Sequence, residues 1–120
     1  MIVVSSSLPV PASAPALPVA HRADVLARLS ADASVLKAMG LARCAVFGSF
    51  ARDLAIRPDS DVDLLVSFQP GRKDFDTYLE LVDHLERLLA RRVDLVTTEG
   101  LSRHLAASVL GEALDVALGA

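Results

Sequence analysis

The sequence predicts a small α/β or α+β domain, built from a mixed sheet of three to four strands flanked by helices. Its 120 residues allow one small domain. Hydrophobic residues make up 52% of the chain and charged residues 22%, a balance typical of a globular protein with a core. Stretches with helical spacing alternate with short apolar runs in the order α-β-(α)-β-α-β-α. This alternation is typical of helices that pack on a sheet.

The composition argues against several classes of function. Aromatic residues make up 4% of the chain, and 12 Lys and Arg stand against 15 Asp and Glu, for a net charge of −3. Base stacking and tight binding of a nucleic-acid backbone are therefore not expected. A single cysteine, Cys44, cannot form an internal disulfide or a cysteine-based zinc site, which favours a reducing cytoplasm. No apolar run approaches the length of a membrane span.

Residues 1–20 differ in composition from the rest of the chain. They carry no charge and hold four of the six prolines, among Ser and Ala. We expect a flexible or loosely docked arm here, followed by a domain over residues 21–120. A signal peptide is the alternative, because Ala12-Ser13-Ala14 resembles a cleavage site. The absence of a basic segment before it argues against export.

The first half of the domain is predicted to contain a helix and a buried strand. Apolar residues follow helical spacing from His21 to Met39, and Gly40 is a plausible helix stop. Ala42 to Phe47 is a short apolar run that predicts a strand. A brief helical turn is expected around residues 49–55.

The second half is predicted to contain two strands and two helices. The strands are Val62 to Phe68 and Val93 to Thr97, separated by an amphipathic helix from Asp74 to Arg91. Within that helix, Tyr78 is expected in the core and His84 on a solvated face. Leu101 to Leu118 is predicted to be a final helix that is apolar on more than one face. Such a helix is deeply buried or covered by another chain, so we expect association with a partner or a second copy through it.

Three aspartates are candidate metal ligands. Asp61 and Asp63 are separated by one residue, so a strand would place both side chains on one face with Cα atoms about 6.5–7 Å apart. Asp94 lies within a later apolar strand, where a carboxylate is costly unless it is paired or bound to a metal. Carboxylate oxygens are ligands of Mg²⁺, which keeps waters and substrate phosphates as its other ligands. An Asp-x-Asp pair alone is also ordinary turn sequence.

Gly48 and Ser49 are candidate phosphate-binding residues. A glycine lets the backbone approach a phosphate, and a Ser at the start of a helical turn offers a hydroxyl and free N–H groups to an anion. A simple helix cap is the usual explanation of such a pair. Arg52 could neutralise phosphate charge or form a surface ion pair with Asp53 or Asp59.

Taken together, these segments resemble a known family. Gly48-Ser49-Phe50-Ala51-Arg52, Ser60-Asp61-Val62-Asp63-Leu64-Leu65-Val66 and Val93-Asp94-Leu95-Val96 are similar to the minimal nucleotidyltransferase (MNT) family of the DNA polymerase β-like nucleotidyltransferase superfamily. The resemblance covers roughly residues 25–118, including Glu112-Ala113 near the end. It departs at two points: Asp53 stands where the family commonly has a second glycine, and the spacing from Gly-Ser to Asp-x-Asp is about one residue longer.

The resemblance implies metal-dependent nucleotidyl transfer. Asp61, Asp63 and Asp94 would hold Mg²⁺, with two ions expected, and Gly48, Ser49 and Arg52 would hold the nucleotide. Members of this size act as antitoxins that transfer AMP from ATP to a tyrosine of a HEPN ribonuclease toxin. An alternative is a binding module that neutralises its partner by contact alone. A third is an adenylyltransferase for a small molecule, with the acceptor pocket supplied by another chain.

Overall fold

The computed structural model describes residues 17–100 and 109–118, and within them four strands form one sheet in the order β3-β2-β1-β4. β1 is antiparallel to both of its neighbours, whereas β2 and β3 are parallel. The sheet is therefore mixed, as predicted. The strands are β1 (Leu41–Phe47), β2 (Val62–Phe68), β3 (Val93–Thr97) and β4 (Leu114–Val116).

The helices that precede or connect β1, β2 and β3 are α1 (Arg22–Ala31), α2 (Ala33–Ala38), α3 (Gly48–Arg52) and α4 (Phe75–Leu89). The single helix predicted from His21 to Met39 is wrong, because the chain breaks at Asp32 between α1 and α2. The Asp32 carboxylate lies 2.6 Å from Nε2 of His84 on α4, and both side chains are largely buried. His84 is therefore a contact between helices and not the solvated residue that the sequence predicts.

The main core lies between one face of the sheet and the helices. Its sheet side includes Leu64 and Leu95, and its helix side is formed by apolar residues of α1, α2, α3 and α4. Tyr78 packs against this core as predicted, and its hydroxyl donates to the carbonyl of Leu95 at 2.7 Å. Each fully buried Leu stabilises the fold by about 1.5–3 kcal/mol through removal of apolar surface from water. The opposite face carries a smaller cluster of Ala45, Leu65 and Val109.

The helix predicted from Leu101 to Leu118 is wrong from residue 113 onward. Residues 101–108 lie outside the described residues, residues 109–112 are helical, and Leu114–Val116 forms strand β4 beside β1. Burial alternates from Leu114 to Leu118, with Asp115 and Ala117 exposed, and this period of two is typical of a strand. Over residues 109–118, most of the apolar side chains predicted to form an interface therefore belong to the monomer core. Leu110 is an exception, with 60% exposure.

The last residues of the N-terminal segment contact the domain. Val19 is fully buried in the main core, and its N–H donates to the carbonyl of Leu89 at 3.1 Å. Residues 1–16 lie outside the described residues, so the arm stays a prediction. Over the ranges that the structure covers, no helix is both long and apolar enough to cross a membrane.

Candidate active site

Asp63 on β2 and Asp94 on β3 lie side by side in the sheet. They are register partners in the parallel pair, and neighbouring strands are about 4.8 Å apart. Their chain neighbours Leu64 and Leu95 are buried in the main core. Because side chains alternate along a strand, the two carboxylates lie on the other sheet face, which carries the cluster of Ala45, Leu65 and Val109. Asp61 directly precedes β2, so the three predicted carboxylates are in one region.

The environment of Asp63 opposes its negative charge. Burial raises the pKa of Asp63 from its ordinary value of 3.8 to about 6, and the charges of Asp94 and Asp61 add to this effect. Arg52 acts in the opposite direction, while Glu112 raises the pKa further. A carboxylate crowded by like charges is stabilised by a nearby cation. The donor set therefore has the chemistry that a hard divalent cation requires.

The carboxylates do not converge as a complete ligand shell. Among residues 17–100 and 109–118, no group of three or more His, Cys, Asp or Glu side chains is arranged to hold a metal ion. Asp61 accepts a hydrogen bond from Nε of Arg92 at 3.3 Å, so its charge is already paired. This contact uses Oδ1 of Asp61, and the arginine and aspartate side chains are 82% and 38% exposed.

Gly48 brings the turn between β1 and α3 against the carboxylates. Its φ is +72°, in the left-handed region that favours glycine. A Cβ at this position would overlap the Asp63 carboxylate and would lie 2.9 Å from its Cγ. A side chain is therefore excluded both by the backbone conformation and by the neighbouring acid. Ser49 follows as the second residue of α3 and is half-buried, and Phe50 anchors the helix in the core.

Glu112 completes this turn from the C-terminal segment. Its Oε1 accepts from the backbone N–H of Gly48 at 3.0 Å, and its Oε2 accepts from Nη1 of Arg52 at 2.8 Å. These two bonds hold the pKa of the Glu112 carboxyl below its usual range. The prediction that Arg52 pairs with Asp53 or Asp59 is therefore wrong. The sequence offered one signal for Glu112, its place in the Glu-Ala pair near the end of the resemblance.

Asp53, which departs from the family pattern, occupies the turn after α3. Its φ of 58° and ψ of 35° are left-handed, a conformation that glycine adopts freely and that Asp tolerates better than most residues. Its Oδ1 accepts from the backbone N–H of Arg22 at 3.0 Å, at the start of α1. The carboxylate thus satisfies one of the free N–H groups of that helix. The aspartate at position 53 therefore adds a contact between the start of α1 and the end of α3, and it leaves the Gly48 turn in place.

Arg91 is a second residue that sequence reasoning missed. Its Nε donates to the carbonyl of Val19 at 2.7 Å, and its Nη1 lies within 3.2 Å of the carbonyls of three residues of the loop before Asp61. Its guanidinium also lies 5.2 Å from the ring centroid of Phe50 on α3. The Arg91 side chain therefore holds the loop that leads to Asp61 against α3, which begins at Gly48. The three carbonyls are those of Arg57, Pro58 and Ser60.

Comparison with known sequences gives a family match over most of the chain. The nucleotidyltransferase domain family matches residues 33–116, which include the three aspartates, the Gly48 turn and Glu112. The protein adenylyltransferase MntA of Thermococcus cleftensis is 43% identical over 79 residues. These cover 64% of this chain and 76% of that protein.

Comparison with solved structures gives the same fold. A structure described as a candidate minimal nucleotidyltransferase superposes with a TM-score of 0.68 at 41% identity, over 78% of this chain and 94% of that chain. A complex described as a tri-AMPylated HEPN toxin of Shewanella oneidensis with its MNT antitoxin matches with a TM-score of 0.50 at 20% identity. The match covers 72% of this chain and 70% of that chain, and at this identity the likeness is one of fold.

Proposed function

Because the chain belongs to the nucleotidyltransferase domain family, we propose that its site transfers AMP from ATP to a hydroxyl of a partner protein. The observation that carries this proposal is the pairing of Asp63 with Asp94 in adjacent strands, beside the close turn at Gly48. Acidic side chains that gather near a phosphate-binding turn are typical of metal-assisted phosphoryl chemistry.

The residues divide into two groups by role. Gly48, Ser49 and Arg52 would hold the outgoing pyrophosphate portion of the nucleotide, while Asp61, Asp63 and Asp94 would hold Mg²⁺, as two ions. Bound Mg²⁺ supplies charge stabilisation for the entering and leaving oxygens of an in-line displacement. In the reaction the acceptor oxygen would form a bond to the α-phosphorus, the bond from that phosphorus to pyrophosphate would break, and the hydroxyl proton would pass to water.

We propose a HEPN ribonuclease toxin as the acceptor, with a tyrosine hydroxyl as the modified group, in the cytoplasm. Two of the similar proteins support this choice: MntA is named a protein adenylyltransferase, and the Shewanella complex contains an AMPylated HEPN toxin. The chain would act as the antitoxin of such a pair, because AMP on the toxin would block its activity.

Co-expression with the product of the neighbouring reading frame tests this function. Intact mass of the purified partner should increase by one or more AMP units with the wild type and ATP. The Asp94→Asn variant should still bind ATP and the partner but leave the partner mass unchanged, because a contact made chiefly in the transition state affects turnover more than binding. Asp59→Asn is the matched control. Asp59 is an exposed residue in the loop before β2, so this variant should modify the partner as the wild type does.

Neutralisation by contact alone is the second candidate. It is favoured by the Arg92–Asp61 pair and by the absence of a preformed ligand shell among the described residues. Under this alternative, Asp94→Asn would protect cells fully, with no AMP on the partner. That result would replace the catalytic proposal.

A further inference from the structure

Glu112 contacts both ends of the short helix that follows β1. One carboxylate oxygen accepts from the N–H of Gly48 at its start, and the other accepts from Arg52 at its end. Gly48 is buried, and its conformation is left-handed. A buried N–H without a partner is costly, and glycine loses more conformational freedom than other residues when it is fixed. The Glu112 carboxylate therefore offsets both costs at a position that lies against Asp63.

The contact also fixes the orientation of Arg52. The Nη1–Oε2 distance is 2.8 Å, and the arginine and glutamate side chains are 52% and 26% exposed. Hydrogen bonds between ionised groups are about twice as strong as neutral ones. In this arrangement the half-exposed Arg52 side chain places its guanidinium beside the turn.

We propose that Glu112 is a positioning residue for nucleotide binding. It holds the Gly48–Ser49 turn and Arg52 in the arrangement that receives the phosphates of ATP. The expected effect on ATP binding rests on the proposed function. The hydrogen bonds that hold the turn and Arg52 do not depend on that function. The described C-terminal segment, residues 109–118, contains none of the aspartates proposed to bind metal. The proposal makes this segment necessary for nucleotide binding nevertheless.

Two measurements on Glu112→Ala test the proposal separately. Hydrogen exchange should be faster at the amides of residues 48–52 than in the wild type, because their anchor is removed. The ATP concentration that half-saturates AMP transfer should rise about 10-fold or more, as for other residues that orient a site. Turnover at saturating ATP should change much less, since bound nucleotide restores the arrangement. A loss of fold alone would not give this split between the two kinetic parameters.

Two further variants sharpen the test. Asp115→Asn removes a carboxylate from the same segment that pairs with Arg43 at 3.3 Å, away from the turn, and should match the wild type in both measurements. Glu112→Gln keeps an acceptor for the Gly48 N–H but loses the charge facing Arg52, and should lie between the wild type and Glu112→Ala.

Each outcome decides between specific alternatives. Unchanged exchange in Glu112→Ala would overturn the positioning role. Faster exchange with unchanged half-saturation would show that ATP does not need the ordered turn, which also overturns the proposal. Tighter ATP binding by Glu112→Ala would also overturn the proposal, because it would show that the carboxylate competes with phosphate for the Gly48 N–H and Arg52. If the wild type transfers no AMP while exchange responds as expected, the proposed function fails and the positioning of the turn stands.

Discussion

Replacement of Asp63 by Asn should change how the stability of the metal-free protein depends on pH. The pKa of Asp63 is about 6 in the folded state, against an ordinary value of 3.8. The folded state therefore binds a proton more tightly than the unfolded state does. Stabilisation from this group is fully present below about pH 4 and is lost as the pH rises through about 6. An Asn side chain does not titrate, so the Asp63→Asn protein should not lose this stabilisation as the pH rises from about 4 through about 6.

The size of the effect follows from the two pKa values. The difference between 3.8 and about 6 corresponds to about 3 kcal/mol in the free energy of unfolding. Asp63 is only half-buried, and solvent screening reduces the contribution to about 1–2 kcal/mol. Asp63→Asn should therefore be more stable than the wild type by this amount at pH 7.5 and equal to it near pH 4. In urea, the difference amounts to a shift of the midpoint by about 1 M.

Urea unfolding in EDTA at several pH values between 4 and 8 measures this difference. Asp94→Asn should show part of the effect, because the Asp94 charge is the second cause of the raised pKa. Asp59→Asn is the control. The Asp59 side chain is 84% exposed in the loop before β2, so the pH dependence of unfolding of this variant should match that of the wild type. Parallel curves for the wild type and Asp63→Asn would refute the argument, because they would show that the Asp63 charge is not opposed in the folded state.

Three further predictions concern the stability of the fold. Gly48→Ala should unfold at a lower temperature than Gly71→Ala, because both positions have positive φ but only the first places a Cβ against a carboxylate. The φ strain alone costs about 1–3 kcal/mol. Arg91→Lys should destabilise the protein by about 1–3 kcal/mol in urea unfolding, since an ammonium group cannot reproduce the planar contacts of the guanidinium; an unchanged midpoint would contradict its role. Leu114→Glu should destabilise by about 2 kcal/mol or more in the same assay, whereas the exposed Leu110→Glu should stay within about 0.5 kcal/mol.

Local sequence patterns predicted the elements that depend on short-range spacing. The apolar stripe of α4 and the runs that form β1, β2 and β3 lie within a residue or two of their predicted bounds. The Asp-x-Asp pair and Asp94 were identified because acidic residues stand out beside apolar strands. These features are encoded over fewer than about 20 residues, where periodicity is informative.

Features that depend on distant contacts were not predictable in the same way. β4 is a strand because β1 has an open edge for it, and its apolar residues also fit helical spacing. The break at Asp32 accompanies a contact with His84, 52 residues away. Glu112 and Arg91 act through hydrogen bonds to backbone groups of other segments, and such partners leave no local pattern.

The late position of β4 also affects how the molecule folds. Arg43 and Asp115, which pair across β1 and β4, are 72 residues apart, and Gly48 and Glu112 are 64 residues apart. Closing a long loop costs more chain entropy than closing a short one, and distant pairings slow folding. We expect β1 and β2 to associate first and the C-terminal segment to dock last. A newly made chain would then have Asp63 in place before the Gly48 turn is anchored, so the nucleotide binding that we propose would be among the last properties that it acquires.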